Sequence, residues 1–284
     1  MVAKLRSYWK MIKSLQTGLL LLTGLAGYMS ARCPVFNLDT ILGLTGSLFL
    51  AISGSTVLNM CYDRDIDSVM KRTCTRPLPA GIISTSEGLA LGLILSSIGI
   101  GWAWLIDPLY GAIVFAGLFF DVLVYTIWLK RRTAWSIVWG GISGGMPVLA
   151  GRALGMGQID LPGLVLALAV LFWIPTHIMT FNMRHYDDYS AARIPTFPSV
   201  YGFGFTQKVI AVSSVLAAVA MVLFVYLVGL SNEYKQLIAA FSTVLLLIAI
   251  GSMLRPSKTV NFGLFKFASV YMLGSMLVIL FQGL

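Results

Sequence analysis

Charge is what this sequence has least of. Only 11% of its 284 residues are Asp, Glu, Lys or Arg, 58% are hydrophobic, and the mean hydropathy is +0.86. Soluble domains carry about 25% charged residues, so the composition excludes an ordinary soluble globular protein. Apolar runs, each about long enough to cross a ~30 Å hydrocarbon layer, indicate an integral membrane protein with one domain over residues 1–284.

Cysteine and histidine patterns that bind metals are also missing. Cys33, Cys61 and Cys74 show no CxxC or Cys/His spacing, so neither a zinc site nor a disulfide framework is expected. The net charge of +9 would suit nucleic acid, but the basic residues lie in short loops between apolar runs. Membrane orientation and anionic lipids account for basic loops, so we expect membrane lipids as partners and no nucleic acid.

The apolar runs predict an all-α, polytopic membrane bundle of nine transmembrane helices. Prolines at 108 and 162 separate neighbouring helices, because proline removes a backbone donor. The predicted spans are residues 14–31, 38–60, 88–106, 109–129, 134–154, 162–183, 207–230, 235–254 and 264–283. Seventeen of the 20 Lys and Arg residues lie in the N-terminal segment, in the loops after spans two, four, six and eight, or at the span ends next to those loops. This asymmetry predicts a cytoplasmic N-terminus and an external C-terminus.

The most informative segment is NMCYDRDIDSVMKRTCTRPLPAG, which follows the second span. If the helix continues, Asn59, Asp63 and Asp67 recur at every fourth residue and present oxygen ligands on one face. Mg²⁺ is usually held by one or two carboxylates together with substrate phosphate oxygens, so the spacing favours a magnesium and diphosphate site. A solvated loop with helix-supporting charge pairs is the alternative. The basic residues in this segment that suit phosphate are Arg64, Lys71, Arg72 and Arg76.

A second segment, YTIWLKRRT, closes the fourth span with Tyr125 and the basic residues Lys130, Arg131 and Arg132. Such a cluster at a helix end is as often an orientation signal as a ligand site. Asp121 lies one turn before Tyr125 and is expected inside the hydrocarbon layer. An ionisable group is costly there, which makes Asp121 a candidate functional residue.

A third segment, PTHIMTFNMRHYDDYSAARIPTFPSVYG, leaves the sixth span and contains both histidines and the acidic pair Asp187 and Asp188. The predicted topology puts this pair on the same side as Asp63, so two carboxylate clusters are expected to share a diphosphate through magnesium ions. His177 lies within the span, where it would line a substrate cavity, ligate an iron or hydrogen-bond between helices. His185 more often has a structural role at such a position.

Together these segments resemble the UbiA superfamily of intramembrane prenyltransferases, and specifically its protoheme IX farnesyltransferase branch, over nearly the whole chain. Three blocks carry the resemblance: NxxxDRDIDxxMxRTxxRPLxxG from Asn59 to Gly81, YTxWLKRRT from Tyr125 to Thr133, and DDYxxAxIPxxP from Asp187 to Pro198. Adjacent Asp187 and Asp188 followed by Tyr189 favour the heme branch, because superfamily members with other acceptors typically space two aspartates four apart. Asp121 and Arg193 depart from the branch pattern.

The resemblance implies a Mg²⁺-dependent transfer of farnesyl from farnesyl diphosphate to a vinyl group of heme B, which gives heme O after water adds. The implied catalytic residues are Asn59, Asp63, Asp67, Lys130, Asp187 and Asp188, and all of these except Lys130 are also the implied metal ligands. The implied diphosphate-binding residues are Arg64, Lys71, Arg72, Arg76, Lys130 and Arg131. The implied acceptor-binding residues are Tyr125, His177 and Tyr189. The family context adds a plasma-membrane location and heme A synthase or terminal oxidase assembly as partners.

Two other functions fit parts of the sequence. A related prenyltransferase acting on a quinone precursor or a lipid alcohol would share the diphosphate site and differ in the acceptor. A membrane transporter would also carry acids and basic loops, but it would place them near the bilayer midplane, where only Asp121 is expected. The length of the isoprenoid does not follow from the sequence.

Overall fold

A computed structural model describes residues 2–31 and 37–282, and over those ranges the secondary structure is helical. The long helices are α2 (Ser14–Met29), α3 (Leu38–Tyr62), α5 (Thr85–Ile106), α6 (Pro108–Leu118, continued as a π-helix over Phe119–Leu129), α7 (Ser136–Met156), α8 (Leu161–Arg184), α10 (Phe197–Leu227), α11 (Asn232–Leu254) and α12 (Lys258–Gln282). The short helices are α1 (Val2–Met11), α4 (Arg64–Val69) and α9 (Tyr186–Ala191). The short helices α4 and α9 lie in the two acidic loops.

In the described part of the chain, helix occupies each of the nine predicted positions, and the all-α membrane class is confirmed. Seven of the long helices are long and apolar enough to cross a membrane. The remaining two are α2, which has 16 residues, and α7, which contains several glycines, an arginine and Pro147. The count of nine spans therefore stays a prediction, whereas seven candidate spans are present.

α10 begins at Phe197, before the predicted seventh span of residues 207–230. Thr196 and Ser199 form a capping box, and Pro198 lies in the first turn, where its missing N–H costs nothing. Gly202 then adopts φ 78°, which interrupts the helix. A short capped segment therefore precedes the regular helix, and hydropathy alone detects only the latter.

Close backbone contact between α2 and α7 fixes the centre of the bundle. A Cβ on Gly27 would lie 2.1 Å from the carbonyl oxygen of Val148, and a Cβ on Gly151 would lie 1.9 Å from that of Gly24. Only glycine fits at such distances, as is typical of tightly packed membrane helices. The glycines that lower the hydropathy of α7 thus serve its packing.

A buried ion pair joins three helices at the end of the bundle opposite the acidic loops. Arg152 donates from Nε and Nη2 to the carboxylate of Asp160, at 2.8 and 2.6 Å, and from Nη1 to the carbonyl oxygen of Ser30 at 2.7 Å. Asp160 also caps α8 by accepting from the backbone N–H of Gly163 at 2.9 Å. These bonds satisfy the buried guanidinium and hold α2, α7 and α8 together.

Candidate active site

Asn59, Asp63 and Asp67 lie along a nearly continuous helical path from α3 into α4. The backbone N–H of Asp63 donates to the carbonyl of Asn59 at 2.9 Å, and that of Asp67 donates to the carbonyl of Asp63 at 2.8 Å. Both carboxylates are buried, with 3% and 5% exposure, and Asn59 is partly buried. The helical continuation expected from the sequence is present, and it brings two buried acids to the end of the bundle.

The loop after α4 folds back onto Asp67. Thr73 donates its hydroxyl to the carbonyl of Asp67 at 2.9 Å, and Arg76 donates from Nη1 to Oδ2 of Asp67 at 2.7 Å. A buried carboxylate is costly unless it is paired and hydrogen-bonded. Arg76 supplies the pairing, so this predicted diphosphate-binding residue does lie at the acidic site.

The π-helix brings Lys130 to the same place. Lys130 forms a buried ion pair with Oδ2 of Asp63, and its ammonium lies 5.6 Å from the ring centroid of Tyr125. Tyr125 itself packs against Gly140 of α7. Two acid and base pairs, one on each buried aspartate, therefore form the centre of the site.

Hydrogen bonds between α3 and the π-helix extend the site into the bundle. Ser55 donates its hydroxyl to Oδ2 of Asp121 at 2.5 Å. One turn nearer the acidic loops, Asn59 donates from Nδ2 to the hydroxyl oxygen of Thr126 at 2.7 Å. Asp121, which departs from the family pattern, is thus hydrogen-bonded to a neighbouring helix, as an ionisable group inside a membrane requires.

The structure does not bring two of the predicted diphosphate-binding cations to the buried acids. Arg131 donates from Nη1 and Nη2 to the carboxylate of Asp65, both at 2.7 Å, and from Nη2 to the carbonyl of Tyr62 at 2.7 Å. This fork lowers the pKa of Asp65 below its usual range. Arg64 donates to the hydroxyl of Thr85 at 2.9 Å, at an exposed position. Both cations therefore stabilise the ends of helices around the site.

The third acidic segment reaches the site through Asp188. The backbone N–H of Lys71 donates to Oδ1 of Asp188 at 3.3 Å. Buried Ile66 and Met70 pack with Ile194 of the loop after α9, and Tyr189 of α9 packs against this cluster. Asp187 is exposed. The two acidic loops are therefore in contact, as the sequence predicted, and Asp188 makes the contact.

Lys13 is a site residue that the sequence analysis missed. It lies between α1 and α2 in a left-handed conformation, with φ 46°. Its pKa is lowered to about 8, first by burial and then by the charges of Arg76 and Lys130, while those of Asp67 and Asp121 oppose the change. A strained backbone that directs a cation into a charged site is typical of functional positions. The sequence feature that could have pointed to Lys13 is its position just before an apolar run. A basic residue at such a position is also what sets membrane orientation, so it does not stand out.

His177 lies in a row of aromatic rings between α8 and α12. Its ring stacks between Trp173 and Phe265, with centroid distances of 4.8 and 4.6 Å. Its Nδ1 lies 3.3 Å from the hydroxyl oxygen of Ser269. Phe265 in turn lies 5.7 Å from Phe181, which is nearer the acidic loops. The histidine is therefore held by its two faces, and this leaves the edge of the ring that carries Nε2 as its free side.

Cations cap this aromatic row at the end where the acidic loops lie. The guanidinium of Arg72 lies 5.0 Å from the centroid of Phe181. Phe262 is contacted by the guanidinium of Arg184 at 3.7 Å and by the ammonium of Lys266 at 4.5 Å. Cation–π contacts orient these side chains without neutralising them. A surface with aromatic rings and positive charges therefore adjoins the acidic site.

The residues present fit a divalent cation that is bound together with a substrate anion. Oδ1 of Asp63 is buried without a hydrogen-bond partner, although Oδ2 is paired with Lys130. Among residues 2–31 and 37–282, no group of three or more His, Cys, Asp or Glu side chains is placed to hold a metal alone. Mg²⁺ usually takes one or two carboxylates and completes its shell with water and phosphate oxygens, which matches this incomplete set.

The fold and site together define a helical membrane protein with buried acids and cations gathered at one end of its bundle. The chain belongs to the UbiA prenyltransferase family, whose family model matches residues 20–271. It is therefore a membrane prenyltransferase.

The relatives agree on one name. A protoheme IX farnesyltransferase of Korarchaeum cryptofilum is 43% identical over 226 residues, covering 80% of this chain and 76% of the relative. A protoheme IX farnesyltransferase of Archaeoglobus fulgidus is 39% identical over 267 residues, covering 94% of each. Their similarity spans most of the chain.

Solved structures with low sequence identity show the same fold. The structure of a digeranylgeranylglyceryl phosphate synthase has a TM-score of 0.82 at 20% identity and covers 99% of each chain. A UbiA homolog from Archaeoglobus fulgidus, bound to GPP and Mg²⁺, has a TM-score of 0.75 at 17% identity and covers 96% of this chain and 99% of that one. The family fold thus extends over the described helices.

Proposed function

We propose that this protein transfers the farnesyl group of farnesyl diphosphate to a vinyl group of heme B and so makes heme O. The observation that carries the proposal is the pair of buried carboxylates, Asp63 and Asp67, each held by a cation, with one oxygen of Asp63 free. The names of the relatives support heme as the acceptor.

Arg76, Lys130 and Lys13 hold the diphosphate in this proposal. Their charges stabilise a departing diphosphate more than the intact ester, because negative charge grows on the leaving group as the carbon–oxygen bond breaks. Mg²⁺, when bound, neutralises further phosphate charge. The residues that would hold it are Asn59, Asp63, Asp67, Asp187 and Asp188. Lys71, Arg72, Arg64 and Arg131 form an outer positive rim that attracts the substrate.

The bundle interior protects the allylic cation that ionisation leaves. Tyr125 and Tyr189 lie beside Lys130, next to the paired acids, and both are partly accessible side chains among buried neighbours. Aromatic faces stabilise a nearby cation, and exclusion of bulk water prevents its early capture. The vinyl group then attacks the farnesyl carbon, water adds to the resulting cation, and one proton is released.

The aromatic row around His177 is the proposed acceptor surface. A porphyrin is flat and apolar and carries two carboxylates, so it needs rings beside its macrocycle and cations at one edge. Trp173 and Phe265 supply rings, and Arg184 and Lys266 supply cations that share Phe262. The free edge of the His177 ring suits an iron ligand. The proposal therefore places the heme carboxylates near the charged end.

The wider setting is part of the same proposal. The proposed location is the plasma membrane, and the charge asymmetry supports a cytoplasmic N-terminus. A product that is a modified heme would pass to heme A synthase or to terminal oxidase assembly. Family membership gives no support to the transporter alternative, whereas a quinone precursor or a lipid alcohol remains the competing acceptor.

Purified protein in liposomes tests the proposal with farnesyl diphosphate, Mg²⁺ and one acceptor at a time. We expect heme B to be prenylated, and we expect the Asp63→Ala and Asp188→Ala variants to lose the product. Prenylation of a quinone precursor or a lipid alcohol, with heme B unchanged, would replace the acceptor. Absence of diphosphate release with every acceptor would contradict the reaction itself.

A further inference from the structure

The side-chain amide of Asn59 has two unlike ends. Its oxygen binds cations, whereas its nitrogen only donates hydrogen bonds. A metal site that uses this residue therefore works only if the amide is turned one way. At the proposed cation site, a neighbouring group must hold the amide so that its oxygen faces the cation.

Thr126 is placed to fix the orientation of the Asn59 amide. Its hydroxyl is fully buried, 2.7 Å from the carbonyl oxygen of Asp121 and 2.7 Å from the amide of Asn59. A backbone carbonyl only accepts, so the single hydroxyl hydrogen of Thr126 must point to Asp121. The hydroxyl therefore presents a lone pair to Asn59, and only Nδ2 can satisfy it. Oδ1 of Asn59 is left free to bind a cation.

The π-helix makes this arrangement possible. In an α-helix a threonine hydroxyl reaches the carbonyl three or four residues back, but Thr126 reaches Asp121, five residues back. The wider turn also aligns the helix with α3. Ser55 pairs with Asp121, Asn59 with Thr126, and Asp63 with Lys130. The three residues of the α3 side are each four positions apart. Their partners on the π-helix side are five and four positions apart, and the wider turn brings the three pairs into register.

We propose that Thr126 is a positioning residue, which holds the amide of Asn59 so that Oδ1 faces the cation. This inference rests on the proposed function, because it assumes a divalent cation at Asn59 and Asp63. Thr126 touches neither the cation nor the substrate, and it acts through the direction of its hydroxyl hydrogen. Residues behind metal ligands typically change metal affinity about 10- to 100-fold when they are replaced.

Mn²⁺ binding in detergent, followed by electron paramagnetic resonance with farnesyl thiolodiphosphate as an unreactive substrate analogue, tests this role without turnover. We expect Thr126→Val, which keeps the shape and loses the hydroxyl, to weaken Mn²⁺ binding about tenfold. Thr126→Ser keeps the hydroxyl and should bind as the wild type does. Wild-type affinity in Thr126→Val would overturn the inference.

Asn59→Asp separates positioning from a general packing role. An aspartate presents oxygen at both ends, so the direction of the Thr126 hydroxyl no longer matters for ligation, and its lone pair would repel the carboxylate. We expect Thr126→Val to leave Mn²⁺ affinity unchanged or increased in the Asn59→Asp background. An equal loss in both backgrounds would show that Thr126 only packs. If the wild type binds no Mn²⁺ with the analogue, the proposed cation site itself fails.

Discussion

Arg76 Nη1 lies 2.7 Å from Oδ2 of Asp67, and this bond closes the loop after α4 over the acidic site. The arginine thus has two tasks in our account, since it neutralises a buried carboxylate and faces the incoming diphosphate. Its position depends on the loop, because Thr73 binds the backbone of Asp67 at the same point.

Arg76→Met should lower kcat/KM about 10- to 100-fold, because a hydrogen bond between charged groups contributes about 1.5–3 kcal/mol and each ~1.4 kcal/mol is a factor of ten. Arg76→Lys keeps the charge but loses the planar guanidinium and its several donors, so we expect an intermediate loss. Steady-state kinetics with farnesyl diphosphate measure both. Equal activity of the methionine variant and the wild type would remove Arg76 from the diphosphate site.

Asp63 and Asp65 make a matched pair for testing which acid matters. Asp63 is buried with Lys130, whereas Asp65 pairs with Arg131 at the surface. Asp63→Asn should reduce product formation at least about 100-fold, because it removes a cation ligand and leaves the buried charge of Lys130 without its partner. Asp65→Asn should change activity less than about fivefold, since surface ion pairs contribute only about 0–1 kcal/mol and each ~1.4 kcal/mol is a factor of ten. Similar losses in both variants would contradict the assignment.

The lowered pKa of Lys13 predicts that the affinity for farnesyl diphosphate depends on pH. Burial lowers its pKa to about 8, so the side chain loses its charge as pH rises through that value. Only the charged form attracts diphosphate, and affinity for the substrate should therefore fall between about pH 7 and 9. Lys13→Arg stays charged over this range and should remove the fall. An identical pH profile in both proteins would show that Lys13 does not bind the diphosphate.

His177→Phe tests the acceptor surface. Phenylalanine preserves the stack between Trp173 and Phe265 but removes both ring nitrogens. We expect weaker heme B binding, measured as a loss of the shift in the heme absorption spectrum that binding to the protein causes. Farnesyl diphosphate binding should be unchanged. Ser269→Ala, which removes only the partner of Nδ1, should have a smaller effect. Unchanged heme absorption in His177→Phe would assign the histidine to packing alone.

Arg152→Met should destabilise the fold without affecting the chemistry, because Arg152 lies at the opposite end of the bundle. Removing one partner of a buried ion pair costs about 3–5 kcal/mol, since the other charge stays buried. Thermal unfolding in detergent should show a clear decrease in Tm. Activity per folded molecule should equal that of the wild type, and a specific loss of activity would connect this pair to the site.

Much of the architecture could be predicted from the sequence because membrane helices follow from hydropathy and because carboxylates at every fourth residue share a helix face. Asn59, Asp63 and Asp67 lie as that spacing predicted. The start of α10 could not be predicted, since the cap at Thr196 and the break at Gly202 depend on local backbone conformation.

Other parts of the site depend on contacts that are distant in sequence. Lys13 reaches the acids only because α2 packs beside α3 and α7. The residues around Lys13 in the sequence do not predict this packing. The π-helix has no reliable sequence signature, so the pairing of Asn59 with Thr126 could not be foreseen. Arg131 lies within a recognised block, yet an exposed aspartate, Asp65, holds it.

The identity of the product tests the central claim most directly. The wild-type protein should be incubated in liposomes with heme B, farnesyl diphosphate and Mg²⁺ in ¹⁸O-labelled water, and the heme fraction should be analysed by mass. We predict a heme that has gained one farnesyl group and one labelled hydroxyl. Unmodified heme, with the farnesyl group on another acceptor or released as farnesol, would contradict the account.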